Sequence, residues 1–177
     1  MHKTPRFRAT TNGFGSRPVA YLMPRPISVD DLAAIGARIV EAVGDQASDL
    51  LHVIAIAKSG YPIAVAAAMQ LRSQKPAFDI YISGIDPYAP LNTFDDLPPH
   101  KACFTVMVDN SVRTGQTAVQ ALKVATAADL RVDQFIKLID YDDELERESL
   151  ACIKNEYAAM SICSLYSVAE IATNGAQ

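Results

Sequence analysis

Five short apolar runs, set apart by helix-spaced stretches or polar connections, constrain this chain more than any other feature. LHVIAIA (51–57), FDIYIS (78–83), ACFTVMV (102–108), VDQFIKLID (132–140) and MSICSLY (160–166) are each strand-sized. The first and third are apolar almost without interruption, the pattern of a strand covered on both faces. Between the runs, SVDDLAAIGARIVEAV (28–43) repeats Leu32, Ile35, Ile39 and Val43 at helical spacing, and Ser28 with acids behind it suits an N-cap. Pro62 fits the first turn of a second helix, carrying Ile63, Ala67, Met69 and Leu71, after a break at KSGYP. TAVQALKVATAA (117–128) predicts a third, and DDELERESLACI (142–153) a fourth whose charges form a solvated face. A brief helix follows the last strand. Alternation of this kind predicts an α/β fold, a mainly parallel twisted sheet with helices on both faces. The 177 residues fit one domain, 1–177, with residues 1–27 irregular except for an extended piece around Val19 to Met23.

Composition removes several function classes. A net charge of -4 and a pI near 5.3 oppose nucleic acid as the main partner, because phosphate backbones need a basic face. No apolar run approaches the roughly 20 residues of a membrane span. The basic start (His2, Lys3, Arg6, Arg8) lacks the apolar stretch of a secretion signal. Cys103, Cys152 and Cys163 are too scattered for a disulfide framework or a zinc site, and each is expected to be a small buried hydrophobe in a reducing, cytoplasmic setting. His52, at the head of a strand, is expected to be structural. No histidine spacing suits a metal, so no protein-built metal site is predicted.

In an α/β sheet, ligands sit beyond the carboxyl ends of the strands. Two polar breaks fall there, KSGY (58–61) and DNSVRTGQT (109–117). In the second, Ser111, Thr114, Gly115 and Thr117 are small, so backbone N–H groups can approach a ligand closely. The helix expected to begin near Thr114 aims its positive end at the loop, which makes a phosphate site. Arg113 adds charge or points to solvent. Asp109 at the strand tip repels phosphate and suits a neighbouring diol, such as that of a ribose. An ordinary strand-to-helix turn, with Thr114 as a cap, also accounts for these residues.

VMVDNSVRTGQT (106–117) resembles the ribose-phosphate loop of the type I phosphoribosyltransferases: an apolar run, two acids, variable residues, then Thr-Gly and a further Thr or Ser. The resemblance implies that Asp109 and Asn110 face the ribose hydroxyls as the catalytic pair. Arg113, Thr114, Gly115, Gln116 and Thr117 would wrap the 5-phosphate, with Ser111 and Val112 also among the substrate-binding residues. HVIAIAKSGYPIAVAAAM (52–69) resembles the family's first core strand, pyrophosphate loop and helix. Lys58, Ser59, Gly60 and Tyr61 would lie along the pyrophosphate, Gly60 giving a tight turn its freedom. YLMPRPISVDDLAAIGARI (21–39) is similar to a segment of the orotate enzymes.

From the resemblance follow a small N-terminal hood over the acceptor, Mg2+ held mainly through substrate, and a homodimer. Arg17, Tyr21, Arg25 and Tyr141 are all open as acceptor contacts. Four departures stand out. The second acid of the pair is Asn110, and the family's acid between Tyr21 and Arg25 is Met23. The connection 84–99 has no Lys or Arg but Asp86, Asp95 and Asp96, with His100 and Lys101 beyond it. No basic residue near Thr10 to Gly13 waits for an orotate carboxylate. The expected activity is transfer of phosphoribose between 5-phosphoribosyl 1-diphosphate and a nitrogenous base. A non-catalytic nucleotide or sugar-phosphate sensor, and a hydrolase or phosphorylase of nucleoside 5-phosphates, are the alternatives.

Overall fold

The apolar runs pair side by side, all pointing the same way. In the computed structural model, described for residues 8–10, 19–21, 28–44, 50–77, 79–87 and 103–170, five parallel strands form one sheet. They are β3 (Leu50–Ile56), β4 (Asp79–Ile85), β5 (Phe104–Asp109), β6 (Gln134–Asp140) and β7 (Ser161–Ser167), in the order β4-β3-β5-β6-β7. Two short strands before them, β1 (Arg8–Thr10) and β2 (Val19–Tyr21), pair antiparallel. Sequence reading gave only the second of these, because three-residue strands carry no periodicity. Leu22 and Met23 lie outside the described residues.

Helix α1 (Val29–Val43) starts in a capping box: the Ser28 hydroxyl accepts from Asp31 N, and Asp31 accepts in return from Ser28 N. With α2 (Ala57–Gln74) it covers one face of the sheet, burying Ile35, Ile39, Ile63 and Leu71 against Val53, Val106 and Ile136. Helices α3 (Gln116–Ala127) and α4 (Glu144–Glu156) cover the other, where Leu122 and Ile153 meet Ile54, Met107 and Phe135. Parallel strands buried on both sides need such continuous apolar sequence. Beyond β7, Ser167 and Glu170 exchange capping bonds at the start of the expected final helix.

Three expectations about the helices are corrected. Helix α2 begins at Ala57, directly after β3, so KSGYP is not a break but the opening turns of the helix, with Pro62 inside it. Gly60 accordingly serves no tight turn. A Cβ there would lie 2.7 Å from the Val108 carbonyl oxygen and 3.0 Å from the Ala55 carbonyl carbon, so glycine lets α2 rest on the central strands. The charges of α4 are not all solvated: Glu146 is 1% exposed. None of the three cysteines is fully buried, and Cys152 is exposed on α4. His52 behaves as expected, buried with its Nε2 2.8 Å from Ser83 Oγ, and burial lowers its pKa to about 4.

Strand β3 has β4 on one side and β5 on the other, so the chain leaves β3 in one direction and later returns to its opposite flank. The crevice at such a reversal is where doubly wound sheets place their ligands. It lies between the end of β3 and the end of β5. No described helix is long and apolar enough to cross a membrane.

Candidate functional site

Both loops singled out in the sequence open onto this crevice. The Ser59 hydroxyl, in the first turn of α2, donates to Asp109 Oδ1 at 3.0 Å across 50 residues of sequence. Asp109 Oδ1 also accepts from Asn110 N at 2.7 Å, while Oδ2 carries no hydrogen bond among the described residues. Asp109 is 6% exposed. Burial pushes its carboxyl up to about 6 from the usual 3.8, against the two hydrogen bonds that pull it down. Asn110 is buried too, and its Oδ1 has no partner among the described residues. A half-used carboxylate and an unused amide oxygen at one strand tip are an acceptor site for hydroxyl groups.

The connection on the β3 side is strained as well as short. Ala57 has φ 48°, a left-handed conformation that costs a residue with a Cβ about 1 kcal/mol or more. Tyr61 is 47% exposed and lies over Gly84 of β4, where its ring leaves no room for a side chain. The side chain of Lys58 lies outside the described residues.

The loop from Ser111 to Gly115 turns from β5 into α3. Gly115, not Thr114, is the N-cap, at φ 71°, and it supplies no side-chain cap to the first turn of α3. Thr114 is exposed, and Gln116 and Thr117 form the first helical turn. A glycine cap in front of a 12-residue helix presents backbone N–H groups to an incoming anion. Val112 is 2% exposed and packs into the core beside Ala118 and Phe135, so only its backbone faces the loop. Arg113 turns away from the loop towards α4 and stays partly in solvent, its side chain 40% exposed. Its Nε lies 3.6 Å from Asp143 Oδ2, an ion contact too long for a hydrogen bond, and its guanidinium carbon is 5.8 Å from the Tyr141 ring centre.

Next to Asp109 lies a second set of buried charges that the sequence reading missed. Lys137 of β6 is in register with Asp109 and 2% exposed. Its ammonium turns to Glu146 Oε1 at 2.8 Å and Asp140 Oδ1 at 3.0 Å. The Glu146 contact is short but poorly directed, so it is a charge contact rather than a hydrogen bond. Glu146 Oε2 accepts from Tyr141 N at 2.7 Å and Asp142 N at 3.0 Å, which fastens the β6–α4 connection. Burial pushes the Asp140 carboxyl up, but its bonds with Lys137 and its neighbours outweigh this and leave it below the usual range. A lysine inside an apolar strand was the available signal, since a doubly covered strand cannot hold a bare ammonium.

Other expected contacts lie outside the described residues: Arg17, Arg25, Met23, Asp95, Asp96, His100 and Lys101. Among the described residues, no three His, Cys, Asp or Glu side chains form a metal-sized group.

The arrangement is that of a type I phosphoribosyltransferase fold, and solved structures agree. Orotate phosphoribosyltransferase of Mycobacterium tuberculosis H37Rv, in complex with Fe(III) dicitrate, matches with a TM-score of 0.64 at 15% identity, over 95% of this chain and 91% of that one. The same enzyme in complex with 5-phospho-alpha-D-ribosyl 1-diphosphate matches at 0.60 and 17% identity, over 80% and 76%. Adenine phosphoribosyltransferase from Leishmania donovani matches at 0.63 and 19% identity, over 94% and 78%. No protein-family model and no curated protein matches the sequence. At these identities the likeness is one of fold.

Proposed function

We propose that this chain transfers a 5-phosphoribosyl group between 5-phosphoribosyl 1-diphosphate and a nitrogenous base. The observation that carries the reading is the Ser59–Asp109 hydrogen bond, which joins the end of β3 to the end of β5 at the sheet's reversal. Asp109 Oδ2 and Asn110 Oδ1 accept from the ribose hydroxyls. The N–H groups at the start of α3 receive the 5-phosphate, and the first turn of α2 receives the pyrophosphate. The base nitrogen's lone pair forms the new bond to the anomeric carbon as the bond to pyrophosphate breaks and its electrons leave on oxygen.

An Mg2+ held by oxygens of the substrate and by water fits beside this strand tip, since Asp109 and Asn110, whose spare oxygens face the ribose hydroxyls, form no cage of their own. When bound, the ion neutralises charge on the leaving pyrophosphate. Asp109 stays ionised above about pH 6. Its charge also opposes the positive character that the sugar acquires in the transition state. The chain is proposed to act as a homodimer in the cytoplasm, on analogy of fold.

One observation favours a second reading, a non-catalytic sensor of the same sugar phosphate. Asn110 accepts a hydroxyl as well as an acid would, but it adds no charge to stabilise a cationic sugar. Calorimetry with Mg2+ and 5-phosphoribosyl 1-diphosphate, followed by pyrophosphate release on mixing with a panel of bases, separates the readings. Binding with release establishes the transferase, and binding without release establishes the sensor. No binding removes both.

A further inference from the structure

We propose that Ser149, on α4, is a positioning residue that holds the distal half of the anion loop in its receptive shape. The inference rests on the ribose-phosphate reading above. The proximal half of that loop is fixed from the sheet and the core: the Asn110 carbonyl accepts from Ile139 N at 2.9 Å, and Val112 is buried. The distal half is fixed from α4. Ser149 Oγ lies 3.1 Å from the Arg113 carbonyl oxygen, and the Arg113 side chain leans on Asp143, the N-cap of α4. Gly115 closes on the same serine, for a Cβ there would lie 3.1 Å from Ser149 Cβ.

The Ser149 hydroxyl has one proton and two acceptors, since it also lies 2.8 Å from the Leu145 carbonyl of its own helix. Leu145 O is already served by the helix ladder, so the bond that matters to the loop is the one to Arg113. Without it, the Arg113 carbonyl is released two residues before a glycine at φ 71°, the conformationally free point between loop and helix. Peptides on either side can then swing their N–H groups away from an incoming phosphate. The position of Ser149 is itself set one turn earlier, where Glu146 is seated on Lys137. Helix α4 thus carries a rigid reference point from the sheet to the anion loop.

The test is calorimetry of the full chain and its Ser149→Ala variant with ribose 5-phosphate, and separately with Mg2+ and inorganic pyrophosphate, alongside thermal unfolding. Alanine is the best helix former, so α4 is retained and its propensity offsets part of the lost bond, leaving the melting temperature within about 3 °C of the unaltered chain. The ribose 5-phosphate Kd rises about five- to tenfold, the loss of one hydrogen bond, while pyrophosphate affinity is unchanged. Equal ribose 5-phosphate affinity in the two proteins overturns the positioning role alone. Parallel weakening of both ligands with a melting temperature lowered by more than about 3 °C also overturns it, in favour of a merely structural serine. Failure of the unaltered chain to bind ribose 5-phosphate overturns this role together with the anion-loop reading.

Discussion

Asp109 and Glu146 are both buried carboxylates near the carboxyl ends of the strands, and they are provided for in opposite ways. Glu146 has an ammonium at 2.8 Å and two backbone N–H donors on its other oxygen. Asp109 has a hydroxyl and one N–H donor on Oδ1, nothing on Oδ2 and no ion pair among the described side chains. Lys137 is the in-register neighbour of Asp109, yet its charge is directed to Glu146 and Asp140. Burial pushes both carboxyls up; at Glu146 the lysine pulls back, and at Asp109 only hydrogen bonds do. A buried charge that is fully matched belongs to the architecture, whereas one left half-matched waits for something else. Only the second kind marks a site.

The comparison breaks most visibly at Lys137. Lys137→Met leaves Glu146 buried without its cation, so stability in urea should fall by roughly 3–5 kcal/mol. A loss below about 1 kcal/mol would mean that the pair is not the fastening described here. Next in size is Asp109→Asn, which should stabilise the chain. The wild-type carboxyl has a folded pKa of about 6 against 3.8 when unfolded, so the native state keeps the proton longer and stability declines as pH rises between those values. Removing the charge should recover up to about 3 kcal/mol at pH 7. That gain should vanish below about pH 4 and come with loss of ribose 5-phosphate binding. Melting curves from about pH 4 to 8 would show it, and a variant less stable than wild type at pH 7 would count against the half-matched carboxylate. Smallest is Ser59→Ala, which removes one hydrogen bond to Asp109 and should cost about 1 kcal/mol. It should also raise the pH above which 5-phosphoribosyl 1-diphosphate binds, since a bond that favours the ionised carboxyl is gone. An unchanged pH profile would show that Ser59 and Asp109 act independently.

Much of the fold was legible because buried parallel strands must be written as apolar runs, and five such runs gave the five sheet strands to within a few residues. The tip of β5 was legible for the same reason: an acid ending a doubly covered strand needs an explanation. The first turns of α2 were not. KSGYP is made of turn-forming residues, and only contact with β3 and β5, which Gly60 permits, draws it into a helix. Nor was the clasp between Ser59 and Asp109 legible as a contact, although each residue was singled out in its own loop. The pairing of Arg113 with Asp143 joins residues 30 apart in sequence and depends on how α4 leaves β6. Lys137 was the signal left unread.

Because Ser59 sits immediately after the first strand of the sheet and Asp109 at the end of the third to be made, the clasp cannot close until the chain has crossed back over β3 and docked on its far side. It is a contact of long loop closure, spanning 50 residues of chain. A ligand gripping both halves therefore binds only a chain in which β3, β4 and β5 are already side by side, and it stabilises that arrangement by mass action.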